Sequence, residues 1–110
     1  MIRQIKTVAD FDAFIESAGV VVAHFGMNFN SFDRTMQRNL IELKAEFPAR
    51  VEFATIDIDS NETIKLAARI NLVNTPTLVF YLNGEQKETL VGMRTMDDIR
   101  ARILSLLDAK

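Results

Sequence analysis

Hydrophobic residues in this chain follow two periods. Residues 20–25 and 51–58 are short runs rich in Val, Ile, Ala and Phe that are apolar on both faces, the pattern of strands buried inside a sheet. Residues 77–82 form a third run, and residues 2–5 can add a short edge strand. Between these runs, apolar positions recur every three or four residues, which predicts helices. Val8, Phe11, Phe14 and Ile15 share one face of a helix starting at Thr7 or Val8, and Gly19 closes it. Met36, Leu40, Leu43 and Phe47 stripe a second helix from Phe32 or Asp33 to Phe47, stopped by Pro48. A shorter helix over 62–69 would turn Ile64, Ala67 and Ala68 inward. Met96, Ile99, Ile103 and Leu106 mark a last helix, opened by Thr95 with Asp98 three residues on.

Turn chemistry orders these elements. Asn83-Gly84 between two strand patterns signals a type I′ hairpin, so residues 77–82 and 85–91 pair antiparallel. The runs at 20–25 and 51–58 are joined by a helix, which makes them parallel neighbours. The order is strand, helix, strand, helix, strand, helix, strand, strand, helix.

Composition narrows the function classes. A chain of 110 residues, 48% hydrophobic and 25% charged, supports one domain with its own core, spanning residues 1–110. The net charge is −2 with Lys and Arg scattered, which argues against nucleic acid as a partner. The N-terminus has no signal-peptide core, and the run at 20–25 is too short to cross a bilayer, so the expected setting is soluble, off the membrane and cytoplasmic. There is no cysteine and a single histidine, His24, which leaves no recognisable metal-ligand spacing and implies no cofactor. Asp57 and Asp59 flank the end of a strand, where solvated or helix-capping carboxylates are commoner than an acid–base pair.

The segments Val20-Val21-Val22-Ala23-His24-Phe25, Thr55-Ile56-Asp57-Ile58-Asp59 and Asn74-Thr75-Pro76-Thr77-Leu78-Val79-Phe80-Tyr81-Leu82-Asn83-Gly84, followed by Val91-Gly92, carry a likeness. Over nearly its full length the chain resembles the thioredoxin family. The resemblance implies an α/β thioredoxin fold: a five-stranded mixed sheet flanked by four helices, its parallel half joined to a C-terminal antiparallel hairpin. It also implies a cis peptide before Pro76, in a loop with Asn74 and Thr75 that faces the former active site. Where the family carries Trp-Cys-Gly-Pro-Cys, this chain has Phe29, Asn30, Ser31, Phe32 and Asp33. His24 stands in the place of the family's buried acid and Thr55 in that of its buried lysine. The alignment sets His24 opposite Asp33, with a neutral His24 bonded to backbone or water as the alternative.

The family's disulfide oxidoreductase activity, and with it a part in cell redox homeostasis, needs a thiolate that a chain without cysteine cannot form. Three function classes remain. The first is a redox-inactive, non-catalytic module that holds another protein or an extended peptide segment, as a client-holding or assembly protein would. It would work through the Pro76 loop and loop 29–33, with Met27, Phe29, Phe32, Val73 and Met93 as an apolar patch; the alternative is that Phe29 and Phe32 pack inward above Met36. The second is a structural accessory subunit of a complex. The third is a non-redox enzyme using Ser31 or Asp33 with His24, which needs the imidazole within reach of the hydroxyl. No catalytic residue is expected.

Overall fold

In the computed structural model, which describes residues 2–109, the chain forms β1 (Arg3–Gln4), α1 (Val8–Ile15), β2 (Val20–Gly26), α2 (Ser31–Glu46) and β3 (Val51–Asp57). It continues with α3 (Ile64–Arg69), β4 (Thr77–Leu82), β5 (Glu85–Val91) and α4 (Met96–Asp108). The strands make one sheet in the order β1-β3-β2-β4-β5. β3 runs parallel to both β1 and β2, whereas β4 is antiparallel to β2 and β5. This is the thioredoxin fold that the resemblance implies.

Alternation along the strands builds two cores, one per face. On one face Val20, Val22, Phe53, Leu78 and Phe80 meet Met36, Leu40 and Leu43 of α2 and Ile99, Ile103 and Leu106 of α4. On the other, Val21, Ala23, Phe25, Ile56, Val79 and Tyr81 meet Phe11 and Phe14 of α1 and Leu66 of α3. Phe11 is the hub there, its ring centroid 5.8 Å from those of both Phe25 and Tyr81. Truncating a fully buried Leu40 to Ala would cost about 2–5 kcal/mol, from lost transfer energy and the cavity left behind. Arg100 ties α4 to α2 through both oxygens of Glu46, at 2.7 and 2.8 Å, and its hydrogen bonds hold the Glu46 carboxyl below the usual carboxylate range.

Side-chain caps explain the helix starts. Thr7, Asn30 and Thr95 each accept a hydrogen bond from the backbone N–H three residues on, at 3.0 to 3.1 Å. Because Asn30 is the cap, α2 begins at Ser31, earlier than apolar periodicity alone places it. α3 departs further from expectation. Thr63 Oγ1 donates to the carbonyl of Asp57 at 2.6 Å and Ser60 Oγ accepts from Thr63 N at 3.0 Å, so residues before 64 form a turn. The inward row is then Thr63, Leu66 and Ile70; of the three residues predicted inward, Ala67 is half-buried against this core, while Ile64 and Ala68 face outward.

Candidate functional site

The β2–α2 junction is built around one carboxylate. Asp33 lies in the first turn of α2, where unpaired backbone N–H groups favour negative charge. Its side chain turns back beneath the loop, Oδ2 accepting from Met27 N at 3.1 Å and Oδ1 facing His24 Nε2 at 3.2 Å. A carboxylate partner implies a proton on Nε2. Both side chains are fully buried. Gly26 makes this approach possible, because a Cβ there would stand 2.6 Å from both Cγ and Oδ1 of Asp33. Of the two arrangements open for His24, the structure shows the one facing Asp33.

Beyond this pair the loop is held in an unusual shape. Asn28 and Phe29 both have positive φ, 55° and 42°, and for Phe that conformation costs on the order of 1 kcal/mol. Three contacts hold it there: Asn28 N donates to Asp57 Oδ1 at 3.1 Å, Arg34 Nη1 donates to the Phe29 carbonyl at 2.9 Å, and the Phe29 ring stacks on His24 with centroids 6.0 Å apart. Asp57 Oδ1 also accepts from Asp59 N at 3.0 Å. Asp57 is therefore a tie between loops, and it caps no helix. Behind the Phe29 ring, His24 Nδ1 and Thr55 Oγ1 are buried with no hydrogen-bond partner, on residues that are register partners across β2 and β3.

On the other side of the junction, the Thr75–Pro76 peptide is cis. Its turn is closed by Thr77 Oγ1 donating to the Asn74 carbonyl at 2.6 Å and by Gly92 N donating to the Pro76 carbonyl at 2.8 Å. Met27, Val73, Asn74 and Thr75, with Ile64 and Leu72, line an open depression of about 370 Å³. Val73 is 80% exposed on its rim.

The five apolar residues proposed as one patch thus divide. Met27 and Val73 share the depression, whereas Phe29 turns away from it, half-buried against His24. Phe32 is 60% exposed and Met93 is also exposed, but neither lines the depression. The sequence reading missed Ile64 and Leu72. The spacing Thr63, Leu66, Ile70 would have put Ile64 outward, had a buried threonine been admitted to the apolar row.

The chemistry available here is limited. Ser31 and Asn30 are exposed, and no hydrogen bond joins Ser31 to His24 among the described residues. No group of three or more His, Cys, Asp or Glu side chains among the described residues could hold a metal ion, and no helix is long and apolar enough to cross a membrane.

Fold and junction together define a thioredoxin-fold domain without cysteine, in which Asn30 and Asp33 stand where a redox dithiol would be and Asp33 is paired with the buried His24. The chain belongs to the thioredoxin family, whose profile matches residues 3–105. It is 27% identical over 93 residues to a thioredoxin of Staphylococcus aureus, covering 84% of this chain and 86% of that protein. Among solved structures it resembles a point mutant of thioredoxin from Halobacterium salinarum, with a TM-score of 0.85 and 25% identity over 94% of this chain and 88% of that one. It is also similar in fold to oxidised mitochondrial thioredoxin 3 of Saccharomyces cerevisiae, with a TM-score of 0.82 and 21% identity over 94% of each chain.

Proposed function

We propose that this protein is a redox-inactive member of its family that holds an extended segment of another protein in the depression beside Pro76, as a non-catalytic, cytoplasmic module. The observation that carries the proposal is the exposure of Met27 and Val73 in the depression that Asn74 and Thr75 also line. Thr75 N donates to Asn74 Oδ1 and the Asn74 carbonyl accepts from Thr77 Oγ1, so a segment laid along that backbone would pair with the Thr75 carbonyl and bury apolar side chains beside it, a limited form of strand addition. Met27 adds an adaptable surface. Phe32 and Asn30, exposed at the start of α2, extend the same end of the molecule and would border the segment.

Without sulfur, retention rests on burial. At ~25 cal/mol per Å², a few hundred Å² of apolar surface gives a gross gain of several kcal/mol, most of it offset by association entropy. Reversible, micromolar binding follows.

The test is selection of a displayed library of extended peptides on the chain, followed by affinity measurement with Val73→Asp. Enriched peptides should lose at least about tenfold in affinity with this variant, as a charge placed in an apolar contact implies. They should keep their affinity for Leu104→Asp, which alters an exposed position on α4. Failure to enrich any peptide, or equal binding by the Val73 variant, would overturn the proposal.

A further inference from the structure

The other side of the Phe29 loop carries a second concavity. About 500 Å³ in volume, within the range of small-molecule sites, it lies at the edge of the sheet where β1 and β3 end. Gln4 and Thr55, register partners across β1 and β3, lie side by side on its floor. Asp57, two residues beyond Thr55, adds a carboxylate on the same face, and Phe29 supplies an aromatic wall.

Two features give the cavity a chemical preference. Thr55 lines it, and the Thr55 hydroxyl is buried with no partner, a group whose desolvation is uncompensated until something bonds to it. The lining is acidic, with Asp57, Asp59 and Glu62 against Lys6; Glu62 is already engaged by Val8 N at 3.0 Å and by Lys65 at 3.7 Å, so the attraction rests on Asp57 and Asp59. Asp57 Oδ1 is spent on the Asn28 and Asp59 N–H groups, but Oδ2 accepts no bond among the described residues. An anion would meet repulsion. A planar or compact cation with several N–H donors would satisfy both Thr55 and Asp57 and lie against the Phe29 ring.

We propose that this cavity binds a small organic cation of the alkylguanidinium or alkylamine type, either as a free amine or as the tip of an arginine or lysine side chain. The buried Thr55 hydroxyl is the selecting group, and the carboxylates supply the attraction. Arginine has the better shape, because its fork can reach two acceptors while its flat face stacks on the ring. This site shares no lining residue with the depression beside Pro76 and does not depend on it.

The experiment is a titration of the ¹⁵N-labelled chain, followed by amide chemical shifts, with agmatine, n-butylamine and doubly blocked arginine as probes and butyrate as the anionic control. The cations should produce saturable shifts at Thr55, Asp57 and Phe29, and butyrate none. Thr55→Val keeps the shape and removes the hydroxyl. It should weaken cation binding about fivefold, the loss expected for one hydrogen bond, without lowering the melting temperature. Val73→Asp should leave cation binding unchanged, which separates failure here from failure of the peptide-binding proposal. Tighter binding of agmatine than of blocked arginine points to a free amine, and the reverse to a side chain. Absence of saturable shifts at those three amides, an equal response to butyrate, or unchanged affinity in Thr55→Val would each overturn the assignment.

Discussion

Asp33 and His24 form a closed pair inside the protein, Nε2 to Oδ1 at 3.2 Å, although one lies at the start of a helix and the other in a central strand. Removing one partner of such a pair leaves the other buried and unsatisfied. Asp33→Ala strands His24 Nε2 and Met27 N together and should cost about 3–5 kcal/mol, read from urea unfolding. Asp33→Asn keeps the shape and should cost less.

Gly26→Ala tests the same geometry from beneath. The added methyl cannot coexist with the carboxylate where it stands, so the single variant should lose roughly 1–3 kcal/mol, as overpacked sites do. In the Asp33→Ala background most of that loss should vanish, and a double-mutant cycle would show the two effects to be strongly non-additive. Additive losses would contradict the close approach.

Tyr81 gives a spectroscopic handle, because it is the chain's one tyrosine. Burial pushes its phenol up to about 12 from the ordinary 10.0. The folded state therefore keeps the proton where the unfolded state loses it. Tyr81 contributes stability in full below about pH 10, and that contribution is lost as pH rises toward about 12. Ultraviolet titration should show no tyrosinate signal near pH 10 in the native protein and a normal one in urea. Ionisation near pH 10 in both would refute burial of the phenol.

Disulfide exchange offers a direct negative prediction. With dithiothreitol as reductant, insulin should be reduced no faster than in a protein-free control, because no mixed disulfide can form on this chain.

Phe29 and Phe32 should separate in stability measurements. Phe32 is mostly exposed, and its truncation to Ala should change stability by less than about 0.5 kcal/mol. Phe29→Ala gives up the stack on His24 and should cost about 0.5–1.5 kcal/mol, measured by thermal or urea unfolding. Equal losses would mean that both rings pack inward.

The two C-terminal strands were legible residue for residue, since their alternation is bracketed by Asn83 and Gly84, whose φ values of 52° and 85° are those the hairpin turn requires. α3 was misread because six residues complete fewer than two turns, too few to establish a period, and because Thr63 occupies a core position through a hydrogen bond rather than through hydrophobicity. The Asp33–His24 pair was visible only through the family likeness, as no local spacing rule links a strand to the first turn of the next helix. The orientation of Phe29 was not legible at all. It depends on a left-handed backbone that sequence patterns assign to glycine or asparagine, so residues 27–33 looked like one aromatic surface when they are divided between two.

The bare Cα of Gly26 also bears on any attempt to install a dithiol in this junction. A cysteine placed at position 33 would leave His24 without its carboxylate, and any side chain placed at position 26 would collide with Asp33 while that residue remains. Either change alone costs stability, the first by leaving a buried group unpaired and the second by overpacking. Gly26, His24 and Asp33 fit one another as a unit, so a dithiol installed at positions 30 and 33 would need His24 to change together with Asp33.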